Sequence, residues 1–108
     1  MEQENTKNQM NELDEELYKE LQVDFVKANK NVRSAIVSAI ASGDVKLAHR
    51  LAHTLKGNAG MLGKTRLQTA AAEVEAILKE GNSTLSEEML DYLESELKEV
   101  LEEFEKQK

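Results

Sequence analysis

Apolar residues recur at steps of three and four from Leu13 onward: Leu13, Leu17, Leu21, Phe25, Ala28, Val32, Ile36, Ala39 and Ile40. That spacing lays one apolar face along a helix, which is predicted over about 12–42. Gly43 suits the left-handed position that ends it. Asn29 and Asn31 weaken helix propensity between them, so a kink or break is expected near 29–31. Asp44 is the expected N-cap of a second helix over about 44–62, with Leu47, Ala48, Leu51, Leu55, Ala59 and Leu62 as its apolar set and Gly63 as its stop. A third helix, over about 65–80, is expected to be capped by Thr65. It carries Leu67, Ala70, Ala71, Val74, Ile77 and Leu78, and Gly81 closes it. Asn82-Ser83-Thr84 is a predicted loop, and Thr84 with Glu87 fits a capping box. The last helix, over about 85–106, carries Leu85, Met89, Leu93, Leu97, Val100, Leu101 and Phe104. Residues 1–10 show no such period and are expected to be a disordered tail, with residues 11–108 forming one domain. Four amphipathic helices with short connections predict an all-α, antiparallel, up-and-down four-helix bundle.

Composition narrows the function without naming it. At 108 residues the chain holds one core but no separate catalytic lobe. With no cysteine there is neither a disulfide framework nor a thiolate metal site. A net charge of −7 argues against a whole-chain nucleic-acid binder. The first twenty-five residues are polar and acidic, and no run of about eighteen apolar residues exists. Neither a secretory signal nor a membrane span is therefore expected, and the expected location is cytoplasmic.

The second helix breaks local rules. Glycine inside a helix costs about 1 kcal/mol relative to alanine, yet Gly57 and Gly60 precede the terminal Gly63. With Leu47 at zero and about 100° per residue, Leu47, Leu51, Leu55 and Leu62 span roughly 0–80°. His53 falls near about 240°, Gly57 near about 280° and Gly60 near about 220°. His49 and Lys56 lie at about 200° and about 180° on the shoulder of that outward face, and Met61 at about 320° on the edge of the core. The expectation is an exposed histidine flanked by bare backbone, open to the close approach of another macromolecule. Tight packing against a neighbouring helix is the competing explanation for the glycines.

Charge sharpens the picture. From Asp44 to Arg66 the five basic residues Lys46, Arg50, Lys56, Lys64 and Arg66 face one acid, a net of +4, so the rest of the chain carries −11. A basic patch around an exposed histidine suits an acidic partner or a phosphoryl group. From Ser86 to Lys108 nine acids stand against three lysines, which reads as a solvated helix face. Tyr18, Phe25 and Phe104 are expected to pack in the core.

The run His53-Thr54-Leu55-Lys56-Gly57-Asn58-Ala59-Gly60-Met61-Leu62-Gly63 resembles the signature of histidine-containing phosphotransfer (HPt) domains, which occur free-standing or within hybrid sensor histidine kinases. The lead-in Ala48-His49-Arg50-Leu51-Ala52, the preceding Gly43-Asp44, and the later Leu67, Ala71, Val74, Glu75 and Gly81 also look like the family, over roughly residues 20–82. The resemblance implies a phosphorelay carrier in two-component signal transduction. His53 would accept a phosphoryl group from a receiver-domain aspartyl phosphate and pass it to an aspartate of another receiver. Lys56 would neutralise the phosphoryl oxygens, and Glu75 would hydrogen-bond His53. His49, Arg50, Gly57, Gly60, Met61 and Lys64 would border the receiver-binding surface. The expected carrier is a monomer with no cofactor of its own, the Mg2+ lying on the receiver partner.

The residues alone are compatible with this chemistry. Imidazole is a nucleophile that splits one transfer into two through a covalent intermediate. Phosphoryl transfer needs in-line positioning and charge neutralisation more than covalent help. No phosphate-binding glycine loop is present, so neither ATP binding nor autokinase activity is expected. Three other readings compete. The dimerising phosphoacceptor segment of a histidine kinase usually has an acid directly after its histidine and a proline soon after, whereas Thr54 follows here and the chain has no proline. A metal site at the i, i+4 pair His49 and His53 lacks a third ligand nearby. A non-catalytic helical interaction bundle would make His53 incidental.

Overall fold

The computed structural model describes the backbone of residues 2–81 and 84–106, and the side chains of 15–81 and 84–106. Five helical segments make up this part: α1 (Glu2–Asn29), α2 (Val32–Ala41), α3 (Val45–Met61), α4 (Thr65–Lys79) and α5 (Glu87–Lys106). α1 and α2 form one interrupted rod, so the architecture is the expected four-helix bundle. α2 packs on α3, α3 on α4, and α4 on α5, while α5 returns to both α1 and α2. That closed ring of neighbours is what short connections between successive antiparallel helices produce.

The break lies where two asparagines weaken the helix. Lys30 and Asn31 form a turn. Asn29 is buried, and its Nδ2 donates to the Phe25 carbonyl at 3.0 Å. Such side-chain bonds offer the backbone an alternative to continued helix. The buried face keeps its three-and-four spacing across the break. Gln22, Phe25, Val26 and Asn29 are buried before it, and Val32, Ile36 and Ala39 after it. Leu17, expected on the stripe, is 51% exposed, and Ala28 is exposed as well. Tyr18, expected in the core, sits at its edge and donates to the Leu62 carbonyl at 3.0 Å. That carbonyl lies at the end of α3, where helix acceptors lack intrahelical partners. The backbone of residues 2–10 is helical, where a disordered tail was the expectation. Six of these nine residues are glutamate, glutamine, lysine or methionine, which favour helix without requiring an apolar face. The side chains of that stretch lie outside the described residues.

The turns around α3 share one geometry. Gly43 and Gly63 adopt φ of 83° and 74°. Asp44 N–H donates to the Ala39 carbonyl at 2.8 Å, and Lys64 N–H donates to the Ala59 carbonyl at 2.8 Å. Both are six-to-one closures that end a helix on glycine and launch the next one at once. Asp44 is the N-cap of α3, accepting from Leu47 N–H at 3.0 Å, as expected. Two caps differ from expectation. Lys64 occupies the N-cap of α4 with no side-chain bond, and Thr65 is the first helical residue. Ser86 rather than Thr84 caps α5: its Oγ accepts from Met89 N–H at 3.1 Å, and the helix begins at Glu87. The predicted loop residues Asn82 and Ser83 lie outside the described residues.

Ile36, Leu55, Leu67, Val74, Leu93 and Leu97 are the largest fully buried side chains. Phe25 and Phe104 meet edge to face with centroids 5.8 Å apart, tying α1 to α5.

Candidate functional site

α3 presents a different face to the core than its leucines suggest. Its buried residues are Ala48, Ala52, Leu55 and Ala59, while Leu47 is exposed and Leu51 is only partly buried. The buried stripe is therefore turned toward the alanines. Small side chains let α3 and α4 share the most extensive contact of the bundle. The rotation carries His49 and Lys56, expected on the outer shoulder, up against α4. His53 stays outside.

Glu75 of α4 organises the site. Its carboxylate is buried, with a side-chain exposure of 11%. Lys56 Nζ lies 2.6 Å from Oε1, and His53 Nδ1 lies 2.5 Å from Oε2. His49 Nε2 faces the same Oε2 at 3.5 Å. The hydrogen bond from Lys56 is the main influence holding the Glu75 carboxyl below its ordinary pKa, against the opposing effect of burial. An ionised carboxylate only accepts, so the His53 Nδ1 donates to it. The ring is thereby fixed in orientation and tautomer, and Nε2 is left across the ring from Glu75. The His53 side chain is 61% exposed. The arrangement offers solvent a nucleophilic nitrogen held in place by a buried carboxylate, with an ammonium group one turn along the helix.

The two interior glycines have different causes. A Cβ built on Gly57 meets nothing within 4 Å, so the backbone there is bare to solvent as expected. A Cβ on Gly60 would lie 2.5 Å from Gln68 Nε2 of α4. Gly60 thus serves helix packing, and its expected place on an open outward face is corrected. The α3 face that contacts α4 is wider than the leucine stripe indicated.

The basic patch also divides. Arg50 and Lys46 are exposed. Lys64 pairs with Glu103 Oε2 at 2.5 Å and lies over the Phe104 ring, 5.3 Å from its centroid. Arg66 donates to Glu96 Oε2 at 2.9 Å. Three of the five basic side chains are therefore matched by carboxylates, and Lys64 is directed to α5 rather than to His53. Glu96 is buried, an exception to the expected solvated face of α5. Met61 is 62% exposed and borders a cavity of about 120 Å³, lined by Leu21, Asp24, Phe25 and Ala28 of α1 with Asn58 and Leu62. The contribution of α1 to this surface had no sequence signal. Among the described residues no group of three histidine, aspartate or glutamate side chains is disposed to hold a metal ion, and no helix is long and apolar enough to cross a membrane.

A family model described as the Hpt domain matches residues 4–106. The searches of curated proteins and of solved structures return no match.

Proposed function

The chain belongs to the Hpt domain family, the phosphorelay carriers of two-component signalling, and from that premise we propose that His53 is the residue that carries the phosphoryl group. The supporting observation is the 2.5 Å contact of His53 Nδ1 with buried Glu75, on a ring that is otherwise open to solvent. Nε2 attacks the phosphorus of an aspartyl phosphate on a receiver domain. The bond from phosphorus to the aspartate oxygen breaks, the bond to Nε2 forms, and the aspartate leaves as a carboxylate. The phosphorylated ring keeps its Nδ1–H, and Glu75 balances the positive charge that develops on it. Transfer to the next receiver aspartate reverses these bonds.

Lys56 is drawn from Glu75 Oε1 toward the phosphoryl oxygens, which offer it more negative charge. Gly57 gives the receiver's loops room beside the histidine, and Arg50 and Met61 border the docking surface. His49 lies beneath it, while Gly60 and Lys64 act through packing against α4 and α5. The receiver supplies the Mg2+. The carrier works as a monomer in the cytoplasm.

The test is incubation with a phosphorylated receiver domain, read by intact mass. The wild type is expected to gain one phosphoryl group, and His53→Gln is expected to gain none while keeping its helical circular dichroism. Gain that survives His53→Gln moves the site elsewhere. No gain with any of several receivers leaves the interaction-bundle reading in its place.

A further inference from the structure

His49 stands one turn before His53 on α3, with the two rings stacked at 6.2 Å between centroids and 15° between planes. Its Nε2 is buried and has no hydrogen-bond partner. It faces Glu75 Oε2 at 3.5 Å, and that oxygen already accepts from His53. A buried polar atom left unpaired, aimed at the carboxylate of a functional site, calls for a second state in which it is paired. We propose that His49 is a positioning residue that takes hold of Glu75 when His53 carries the phosphoryl group. The inference rests on the assignment of the phosphoryl group to His53.

The charge balance around Glu75 supplies the reason. In the structure Lys56 satisfies Oε1 and His53 satisfies Oε2. When phosphoryl oxygens draw Lys56 away, a buried carboxylate loses its closest cation. His49 shares a groove with Lys46 of α3 and Lys79 of α4, lined also by Val45, Leu78 and Gly81. Two of these are lysines, whose ammonium groups offer His49 no acceptor. Glu75 is the acceptor its Nε2 faces. Closure of the 3.5 Å gap by His49 in its Nε2–H tautomer, which uses the ring's own single proton, keeps Glu75 seated under His53 Nδ1, ready for the onward transfer. His49 touches neither the phosphorus nor the attacking nitrogen in this scheme.

The experiment uses the full chain labelled with 15N and phosphorylated by phosphoramidate. In that step the bond from phosphorus to the amine breaks, the bond to His53 Nε2 forms, and ammonia leaves with its own protons. Intact mass reports the parent assignment. Long-range 1H–15N spectra of the imidazoles report His49. The expected result is a mass gain abolished by His53→Gln, together with a His49 Nε2–H signal that takes on the shift of a hydrogen-bonded nitrogen only after phosphorylation. A mass gain at His53 with the His49 signals unmoved overturns the role of His49 and leaves His53 intact. No gain, or gain that survives His53→Gln, overturns both.

Two variants give an independent reading. His49→Leu is expected to slow phosphorylation about tenfold, the lower end for one hydrogen bond to a charged group. His49→Gln places an amide donor near the position of Nε2 and is expected to restore the rate to within about twofold. Equal rates for the two variants, or no effect of His49→Leu, reject the proposal. If His49→Leu does not fold, the spectra of the wild type still decide.

Discussion

The stretch from Asp44 to Arg66 holds two regions built from the same ion-pair chemistry, and they differ in how donors are matched to acceptors. At its far end each cation has its own carboxylate: Lys64 meets Glu103, and Arg66 meets Glu96. Around His53, three groups converge on one carboxylate, since Lys56, His53 and His49 all face Glu75. The first region is closed and ties α5 to the α3–α4 turn. The second has a donor to spare and an open face, so an incoming anion can take Lys56 without leaving Glu75 bare. A surplus of donors over a buried acceptor, rather than local basicity, distinguishes the region around His53 from the far end.

The strongest way to break this contrast is to remove one carboxylate from each region. Glu75→Gln is expected to slow phosphorylation of His53 about tenfold to a hundredfold, by losing a hydrogen bond to a charged group. Glu96→Gln is expected to stay within about twofold of wild type, because Arg66 is 73% exposed and returns to water. Similar effects of the two, measured by the rate of mass gain, would dissolve the distinction.

The interior glycines repeat the contrast in the backbone. Gly57→Trp is expected to cut transfer from a phosphorylated receiver at least about tenfold, because the partner loses its aligned approach. Phosphorylation by phosphoramidate should be unaffected, and a parallel loss with the small donor would show that the residue acts on His53 itself. Gly57→Ala is expected to raise stability by about 0.5–1 kcal/mol in urea unfolding, since the new methyl group meets open space and helix propensity improves. Gly60→Ala should gain less, because Gln68 must move aside.

The smallest expected effect concerns acid. The folded-state pKa of Glu75 is lowered, so its contribution to stability is present above the ordinary carboxylate range and is lost as pH falls through the folded-state value. The difference in melting temperature between wild type and Glu75→Gln should therefore be largest near neutrality and shrink on acidification. A difference that grows toward low pH contradicts the pairing with Lys56.

Much of the fold was legible because its signals are local. The three-and-four spacing marks four rods, Gly43 and Gly63 mark their ends, and the asparagines at 29 and 31 mark the break in the first. Caps were less legible at Thr65 and Thr84, since backbone closure at Gly63 sets Lys64 before α4 and the Ser86 hydroxyl takes the Met89 N–H at the start of α5. Leu17 and Tyr18 misled because a period shows that a face exists but not where along the rod its neighbour stops. At the site, the exposure of His53 and the bareness of Gly57 followed from angle alone. Gly60 did not, because whether an outward glycine meets solvent or a neighbouring helix depends on how closely that helix approaches.

By itself the sequence determined the rods, their turns and the motif around His53, all properties of residues a few positions apart. It also carried, through the family resemblance, the pairing of Glu75 with His53. Only the tertiary structure decided which acids answer which bases. Glu75 reaches His53 across 22 positions, Glu96 reaches Arg66 across 30, and Glu103 reaches Lys64 across 39. The physical reason is that a helix sets the direction of each side chain through local backbone geometry, whereas a charge is satisfied by whatever the neighbouring helix brings to it. The net +4 of residues 44–66 is a sum over the chain, and in the folded protein it resolves into two closed pairs, two exposed cations and one lysine beside the histidine.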